Sequence, residues 1–323
     1  MSVNNLIYTY ITKKTGSFII LALVIIKLLF CNWVLADCSL SDGKVDLGNS
    51  NSFAVLNGSI KAEGNSGLTC SGLSMTVLTH NKIKGKIIGT SYNMQLKNIN
   101  GSGDSIQYRI YPDKNYQYAN KIGDSIDYKS LNLISKIFSS TNSRVPLYIK
   151  TLPNANVRAG VYQDIIQINW EYSICKFGSL VCISSWKGKG STFITLHAII
   201  KKDCMINNLP DIQFGSNALV SQFKPLNINM TVSCTKQENY NIWFTEGNHI
   251  QDQWRQLSDD NNHYIQYNIY HPDTNLIWNK NSKKKFLGTG VPNRIYYNAL
   301  INPTQTDLPS GSYSDTVSVV IEY

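Results

Sequence analysis

One phrase occurs twice in this chain. Residues 159–172, which include Gly160-Val161-Tyr162-Gln163-Asp164, align without a gap against residues 310–323, which include Gly311-Ser312-Tyr313-Ser314-Asp315. An internal repeat constrains a fold more than any composition does, because each copy is one structural unit. Two further anchors keep the same order. Asp37-Cys38, Leu47-Gly48 and Cys70 match Asp203-Cys204, Phe214-Gly215 and Cys234. In mid-copy, Ile106-Gln107-Tyr108-Arg109-Ile110-Tyr111 matches Ile265-Gln266-Tyr267-Asn268-Ile269-Tyr270. Alternating strands resemble one another, which explains one such match but not three in register.

The repeat divides the chain into residues 37–201 and 203–323. The junction Lys201-Lys202-Asp203 holds no Gly, Pro or Ser, so it is not a flexible tether, and the copies are expected to stack with limited freedom.

Residues 1–36 read as a secretory signal: Lys13 and Lys14 precede a long apolar run, and Val34-Leu35-Ala36 ends on a small residue suited to cleavage. The rival reading, an uncleaved anchor, is disfavoured by Lys27 inside the run. Removal of this segment leaves 27 basic against 21 acidic side chains, a net charge of +6. Lysines gather at Lys82, Lys84 and Lys86, and at Lys280, Lys283, Lys284 and Lys285. Such clusters commonly guard strand edges, and an anionic surface or polysaccharide is a second use for them. No nucleic-acid-binding motif accompanies them, so no nucleic-acid partner is expected.

Loss of Cys31 with the signal leaves six cysteines, an even number that in an exported chain implies disulfides. Six allow 15 connectivities, and the repeat selects one. Cys38–Cys70 and Cys204–Cys234 are equivalent bridges, and Cys175–Cys182 closes a local loop. Each long bridge is worth roughly 3–4 kcal/mol by loop entropy. The cysteines and the five histidines lack metal-ligand spacing, so no metal or other cofactor is expected.

Short alternating runs broken by Asn-Gly, Ser-Gly and Pro-Asp predict an all-β chain of two immunoglobulin-like antiparallel sandwiches. Met75–Leu78, Ile165–Glu171 and Thr316–Ile321 are examples of predicted strands. Tyr162 and Tyr313 occupy the place of a tyrosine corner, a structural role. After Tyr172 the first copy continues into Ser191–Ile200, which sets Ile194, Leu196, Ala198 and Ile200 on one face. We read this as the first copy's own closing strand. The second copy has no counterpart after Tyr323, so its sandwich is expected to be incomplete, with an open groove that a strand from another chain completes.

The second copy resembles the spore coat protein U family, the pilin domain of archaic (Csu-type) chaperone–usher pili. The resemblance rests on Cys204, Phe214-Gly215, Cys234, Arg255-Gln256-Leu257, the 265–270 run, Gly288-Thr289-Gly290 and the ending from Gly311 to Tyr323. The first copy matches at its anchors only and carries longer insertions. The resemblance implies an incomplete pilin that is capped by a periplasmic chaperone, secreted by an outer-membrane usher and completed by the N-terminal strand of an adjacent pilin subunit. Thr316, Val317, Val319, Ile321 and Tyr323 are then the acceptor residues, and the chaperone holds the carboxylate of Tyr323. Only Asp37 precedes Cys38 after cleavage, too little for a donor strand. A subunit that accepts but does not donate belongs at the distal tip, outside the cell, as an adhesin does.

Contact with an abiotic or host surface is then expected of the first copy. Residues 114–158 outnumber the matching 274–309. Candidate contacts are Tyr116, Tyr118, Phe177, Leu180, Val181, Ile183 and Trp186, although each could simply pack on the sandwich end. The alternative function is a non-adhesive structural or assembly-initiating pilus or coat protein. An enzyme is not expected, because no nucleophile–base order, zinc motif or phosphate loop is present, and His80, His197, His249, His263 and His271 are dispersed.

Overall fold

A computed structural model describes residues 37–71, 82–128, 143–177, 184–259 and 261–323. The expected signal segment, Cys31, His80 and the predicted strand Met75–Leu78 lie outside these residues.

Among the described residues, ten strands form the first unit: β1 (Asp37–Leu40), β2 (Gly43–Asn51), β3 (Lys61–Ser71), β4 (Lys82–Thr90), β5 (Gln95–Asn98), β6 (Ser105–Tyr111), β7 (Ser125–Asp127), β8 (Ser143–Thr151), β9 (Gly160–Phe177) and β10 (Ser184–Lys201). One short helix, α1 (Ser52–Asn57), follows β2, and the Asn51 side chain caps it by accepting from Ala54 N–H at 2.8 Å. The second unit holds β11 (Cys204–Asn208), β12 (Leu226–Cys234), β13 (Asn239–Phe244), β14 (Ile250–Gln251), β15 (Trp254–Ser258), β16 (Tyr264–Tyr270), β17 (Lys284–Leu287), β18 (Asn293–Ile301) and β19 (Val319–Glu322).

Among the described residues, strand pairing does not cross the Lys201–Cys204 junction. In the first unit one curled ladder runs β1-β3-β8-β6-β5-β9-β10-β2, with β4 and β7 alongside β9. Its inner faces enclose a core that includes Val45, Leu68, Ile106, Leu147, Ile168 and Leu196, all 0% exposed. In the second unit a six-stranded sheet, β11-β12-β18-β16-β15-β14, faces a three-stranded one, β17-β13-β19. Between them lie Met230, Ile242, Ile269 and Trp278. The units have separate cores, and both have the immunoglobulin-like sandwich architecture that the alternating runs predict.

The repeat anchors recur as structure. Cys38–Cys70 joins β1 to β3, and Cys204–Cys234 joins β11 to β12, with Cα separations of 4.0 and 4.1 Å. Cys182 lies outside the described residues, so the third expected bridge does too. Gly48 and Gly215, the glycines of the second anchor, take φ of 73° and 83°, a left-handed conformation that favours glycine. Tyr162 Oη donates to Arg158 O at 2.8 Å, and Tyr313 Oη donates to Pro309 O at 2.8 Å, so both are tyrosine corners.

Two expectations are corrected. The sandwiches are not wholly antiparallel, because β10 pairs parallel with β2. The reason is directional: β10 runs antiparallel to β9 on one side and along the same course as β2 on the other. Nor is Thr316–Ile321 one strand, because regular pairing begins only at Val319. The matching part of the first unit lies inside β9, which β10 accompanies from Ile200 to Ser184. Thr316–Ser318 has no such companion among the described residues.

Polar side chains link the units. Ser52 Oγ and Thr235 Oγ1 meet at 2.7 Å in a buried contact. Lys236 Nζ reaches Asp104 Oδ1 at 2.7 Å, and Asn156 Nδ2 donates to Thr289 O at 3.0 Å. Burial opposes ionisation of Asp104, but hydrogen bonds from Lys236 and the Arg158 N–H, with the charges of both residues, outweigh it and hold its carboxyl below the ordinary value.

Candidate functional site

The repeat supplies an internal comparison. Along β9, the inward residues Tyr162, Asp164, Ile166 and Ile168 are each 0% exposed, and Trp170 is 2%. Their counterparts Tyr313, Asp315, Val317, Val319 and Ile321 are only partly buried, and Tyr323 is 45% exposed. The alternation is the same in both, and the difference lies in what covers it. In the first unit Ile194, Leu196 and Ala198 of β10 stand opposite Ile166, Asp164 and Tyr162, and together with Ile200 they are almost wholly buried.

In the second unit the corresponding place is a groove of roughly 240 Å³. Leu209, Ile212 and Phe214 form one wall, and Asp315, Val317 and Val319 form the other. Its floor is Phe244, Leu257, Tyr267, Ile269 and Tyr297. The walls belong to the segment after β11 and the segment that leads into β19, the counterparts of β2 and β9, between which β10 runs in the first unit.

The groove wall is anchored at Asp315. Tyr267 Oη donates to Asp315 Oδ2 at 2.7 Å, while Oδ1 accepts from the Thr316 and Asn248 N–H groups at 2.7 and 2.8 Å. Gly247 lies against this carboxylate so closely that a Cβ there would stand 2.1 Å from Oδ2. The first unit repeats the arrangement with Tyr108 Oη to Asp164 Oδ2 at 2.8 Å and two N–H donors to Oδ1. Burial, followed by the neighbouring carboxylate, pushes both tyrosine hydroxyls far above their ordinary value, so each is a fixed donor.

Arg255 supports the wall from beneath. It is 1% exposed and donates to the Thr245 and Phe244 carbonyls at 2.8 and 3.2 Å, to Trp278 O at 3.0 Å and to Asn268 Oδ1 at 2.9 Å. Burial lowers its pKa. It thereby fixes the end of β13, where Thr245 N–H donates to Ser318 O at 2.9 Å and Phe244 pairs with Val319. The sequence names Arg255 in a motif without revealing this role. Its signal was an arginine inside a strand-forming run.

Of the expected acceptor residues, Val317 and Val319 line the groove, while Ile321 pairs with Ile242 and packs on the second core. Thr316 is exposed, and Tyr323 Oη reaches Asp203 Oδ1 at 3.3 Å. Of the expected contact residues, Tyr116 packs on the sandwich. Its ring meets Tyr111 and Tyr148 edge-on at 5.2 and 6.1 Å, with Lys61 Nζ 5.0 Å from its centroid. Tyr118 is 78% exposed. Trp186 is partly buried against the first core. Leu180, Val181 and Ile183 lie outside the described residues, as does the side chain of Phe177.

Two packed β-sandwich units of this kind, related by an internal repeat, define a pilin-like immunoglobulin fold. The chain belongs to the spore coat protein U family: the Spore Coat Protein U domain matches residues 27–169 and again 191–320. Among solved structures it is similar to the chaperone–tip adhesion subunit pre-assembly complex CsuC–CsuE from archaic Csu pili of Acinetobacter baumannii, with 21% identity, a TM-score of 0.65, and coverage of 89% of this chain and 100% of that one. The CupB6 tip adhesin of Pseudomonas aeruginosa matches at 11% identity over 89% and 94% of the two chains, with a TM-score of 0.33, too low to carry an argument. No curated protein sequence matches the chain.

Proposed function

We propose that this protein is the tip subunit of a chaperone–usher pilus. The first unit contacts a surface, and the second attaches the subunit to the fibre by accepting a strand from the neighbouring pilin. One observation carries the reading: equivalent grooves are filled by β10 in one unit and open in the other. An apolar groove beside an unpaired strand segment favours addition of an extended strand, whose backbone pairs with the edge while alternate side chains fill the pocket. Family membership supports the reading, as does the likeness to a protein described as a tip adhesion subunit in complex with its chaperone. A periplasmic chaperone occupies the groove before assembly, an outer-membrane usher exports the subunit, and the surface contacted is abiotic or host.

Co-expression with and without the cognate chaperone, followed by size-exclusion of the periplasm, tests the second unit. A soluble complex with chaperone and aggregation without it are expected, whereas a stable monomer alone sinks the incomplete-unit reading. Deletion of residues 37–201 tests the first unit. Intact fibres that no longer attach are expected. Loss of the fibres themselves favours the non-adhesive, assembly-initiating alternative.

A further inference from the structure

The first unit carries a second feature, on the outward face of its β4-β9-β10 sheet. Two Lys-Gly-Lys tripeptides far apart in the chain, Lys84-Gly85-Lys86 and Lys187-Gly188-Lys189, flank β9 in register. Lys84 and Lys189 stand on either side of Glu171, Lys82 and Lys187 on either side of Ser173, and Lys86 and Ser191 on either side of Asn169. Neighbouring strands lie about 4.8 Å apart, so lysines flanking β9 are about 10 Å apart, and those on one strand repeat about every 7 Å.

The glycines explain how this face is built. A Cβ at Gly85 would stand 2.8 Å from the Trp170 ring, and one at Gly188 would stand 2.3 Å from Tyr172 Oη. The inward positions are therefore occupied by the two β9 aromatics, and the two Lys-Gly-Lys tripeptides turn their lysines outward. Glu171 and Asp127, opposite Lys84, are the two carboxylates in these rows. Lys189 Nζ lies 3.5 Å from Glu171 Oε1. Five cations against two anions on one sheet face work against stability, since like charges close together repel.

We propose that this face binds a linear anionic polysaccharide, its carboxylate or sulfate groups seated over the lysine rows. Two adjoining shallow grooves follow the rows. One includes Ser125, Asn169 and Ser191 with Lys84 and Lys86, and the other includes Ser173 with Lys82 and Lys187. Hydroxyl and amide groups between the cations suit sugar hydroxyls. Trp170 and Tyr172 are turned inward, so the lysine rows themselves hold no aromatic platform for the bases of a single-stranded nucleic acid, and the one exposed aromatic near them among the described residues, Phe193, stands beyond Ser191 at the end of the rows. Lysine supplies point charges without the planar fork that reads bases. The proposal does not depend on the second unit accepting a strand.

The test is binding of the full exported chain to immobilised polygalacturonate, dextran sulfate, neutral dextran and duplex DNA at two salt concentrations. Salt-dependent binding to one or both anionic polysaccharides is expected, and the comparison of those two identifies carboxylate or sulfate as the group recognised. Replacing Lys82, Lys84, Lys86, Lys187 and Lys189 together by Gln should weaken binding about tenfold or more and flatten its salt dependence. Replacing five exposed lysines elsewhere, Lys114, Lys121, Lys201, Lys202 and Lys224, removes the same charge and should change it less than about threefold. Should the fivefold variant melt early, Lys82→Gln/Lys187→Gln alone should still weaken binding about threefold. Equal losses in the two fivefold sets overturn the site, equal affinity for duplex DNA overturns the ligand class, and absence of binding overturns both.

Discussion

Tyr267 donates its hydroxyl to Asp315 Oδ2 at 2.7 Å, which ties β16 to the wall of the open groove. Tyr108 and Asp164 make the same bond where β10 fills the space. A neutral donor to an ionised acceptor contributes about 1.5–3 kcal/mol. Tyr108→Phe and Tyr267→Phe should each cost that much, read as a lower denaturant midpoint with unchanged m-value. Only Tyr267→Phe should also weaken strand uptake, measured by binding of a donor peptide.

Ile168 and Val319 hold the same repeat position in different surroundings. Ile168→Ala empties a sealed core and should cost about 2–5 kcal/mol. Val319→Ala trims a partly buried side chain and should cost less than about 1.5 kcal/mol in the isolated protein. Adding a copy of Ser191–Ile200 after Tyr323 on a short Gly/Ser linker should yield a soluble monomer without chaperone and bring the two costs closer together. No rise in melting temperature in that fusion would count against the groove as a strand site.

Arg255→Met keeps most of the volume but leaves the Phe244, Thr245 and Trp278 carbonyls without their donor. An unsatisfied buried group costs about 1–3 kcal/mol, so a loss of at least about 3 kcal/mol is expected by chemical denaturation. Loss of the groove-wall geometry should appear as weaker chaperone binding.

Much of this architecture was legible in the residues, and the reasons are local. Cysteine spacing, the Gly-x-Tyr-x-Asp phrase and the alternating Ile194, Leu196, Ala198 and Ile200 depend on periodicity and turn chemistry, which a short window contains. The parallel pairing of β10 with β2 was not legible, because strand direction across a sheet depends on the whole path of the chain. The irregular stretch Thr316–Ser318 was missed for a related reason. Its residues favour a strand, but strand formation needs a neighbour. Tyr116 and Trp186 suggest surface contacts by type, whereas their packing partners Tyr148 and the first core are distant in the chain.

His271 stacks on Trp278 at 4.7 Å, and its Nε2 donates to Ser282 O at 2.8 Å. Burial holds its pKa below the ordinary 6.5. The unfolded chain therefore takes up the proton first, and stability falls as pH drops from about 6.5 through the lower folded value. The melting temperature of the second unit should decline over that window, and His271→Gln should flatten the decline.

Lys236 and Asp104 join the units through one short ion pair. Asp104→Asn should increase inter-unit motion, visible as a larger radius of gyration by small-angle scattering, with the melting temperature of each unit little changed. Because the Asp104 pKa is depressed below 3.8, the contact is intact above that value and is lost as pH falls through the folded value, so acid should mimic the substitution.

The parallel ladder between β2 and β10 also sets an order of events during synthesis and export. Val45 and Leu196 are ladder partners, yet nearly the whole first unit separates them in the chain. Contacts of such high sequence separation form slowly. Until Lys201 has emerged, the first unit lacks β10 and leaves the edges of β2 and β9 exposed, a state prone to misassembly. A unit that is sealed once folded thus passes through an unsealed state for as long as its last strand is missing.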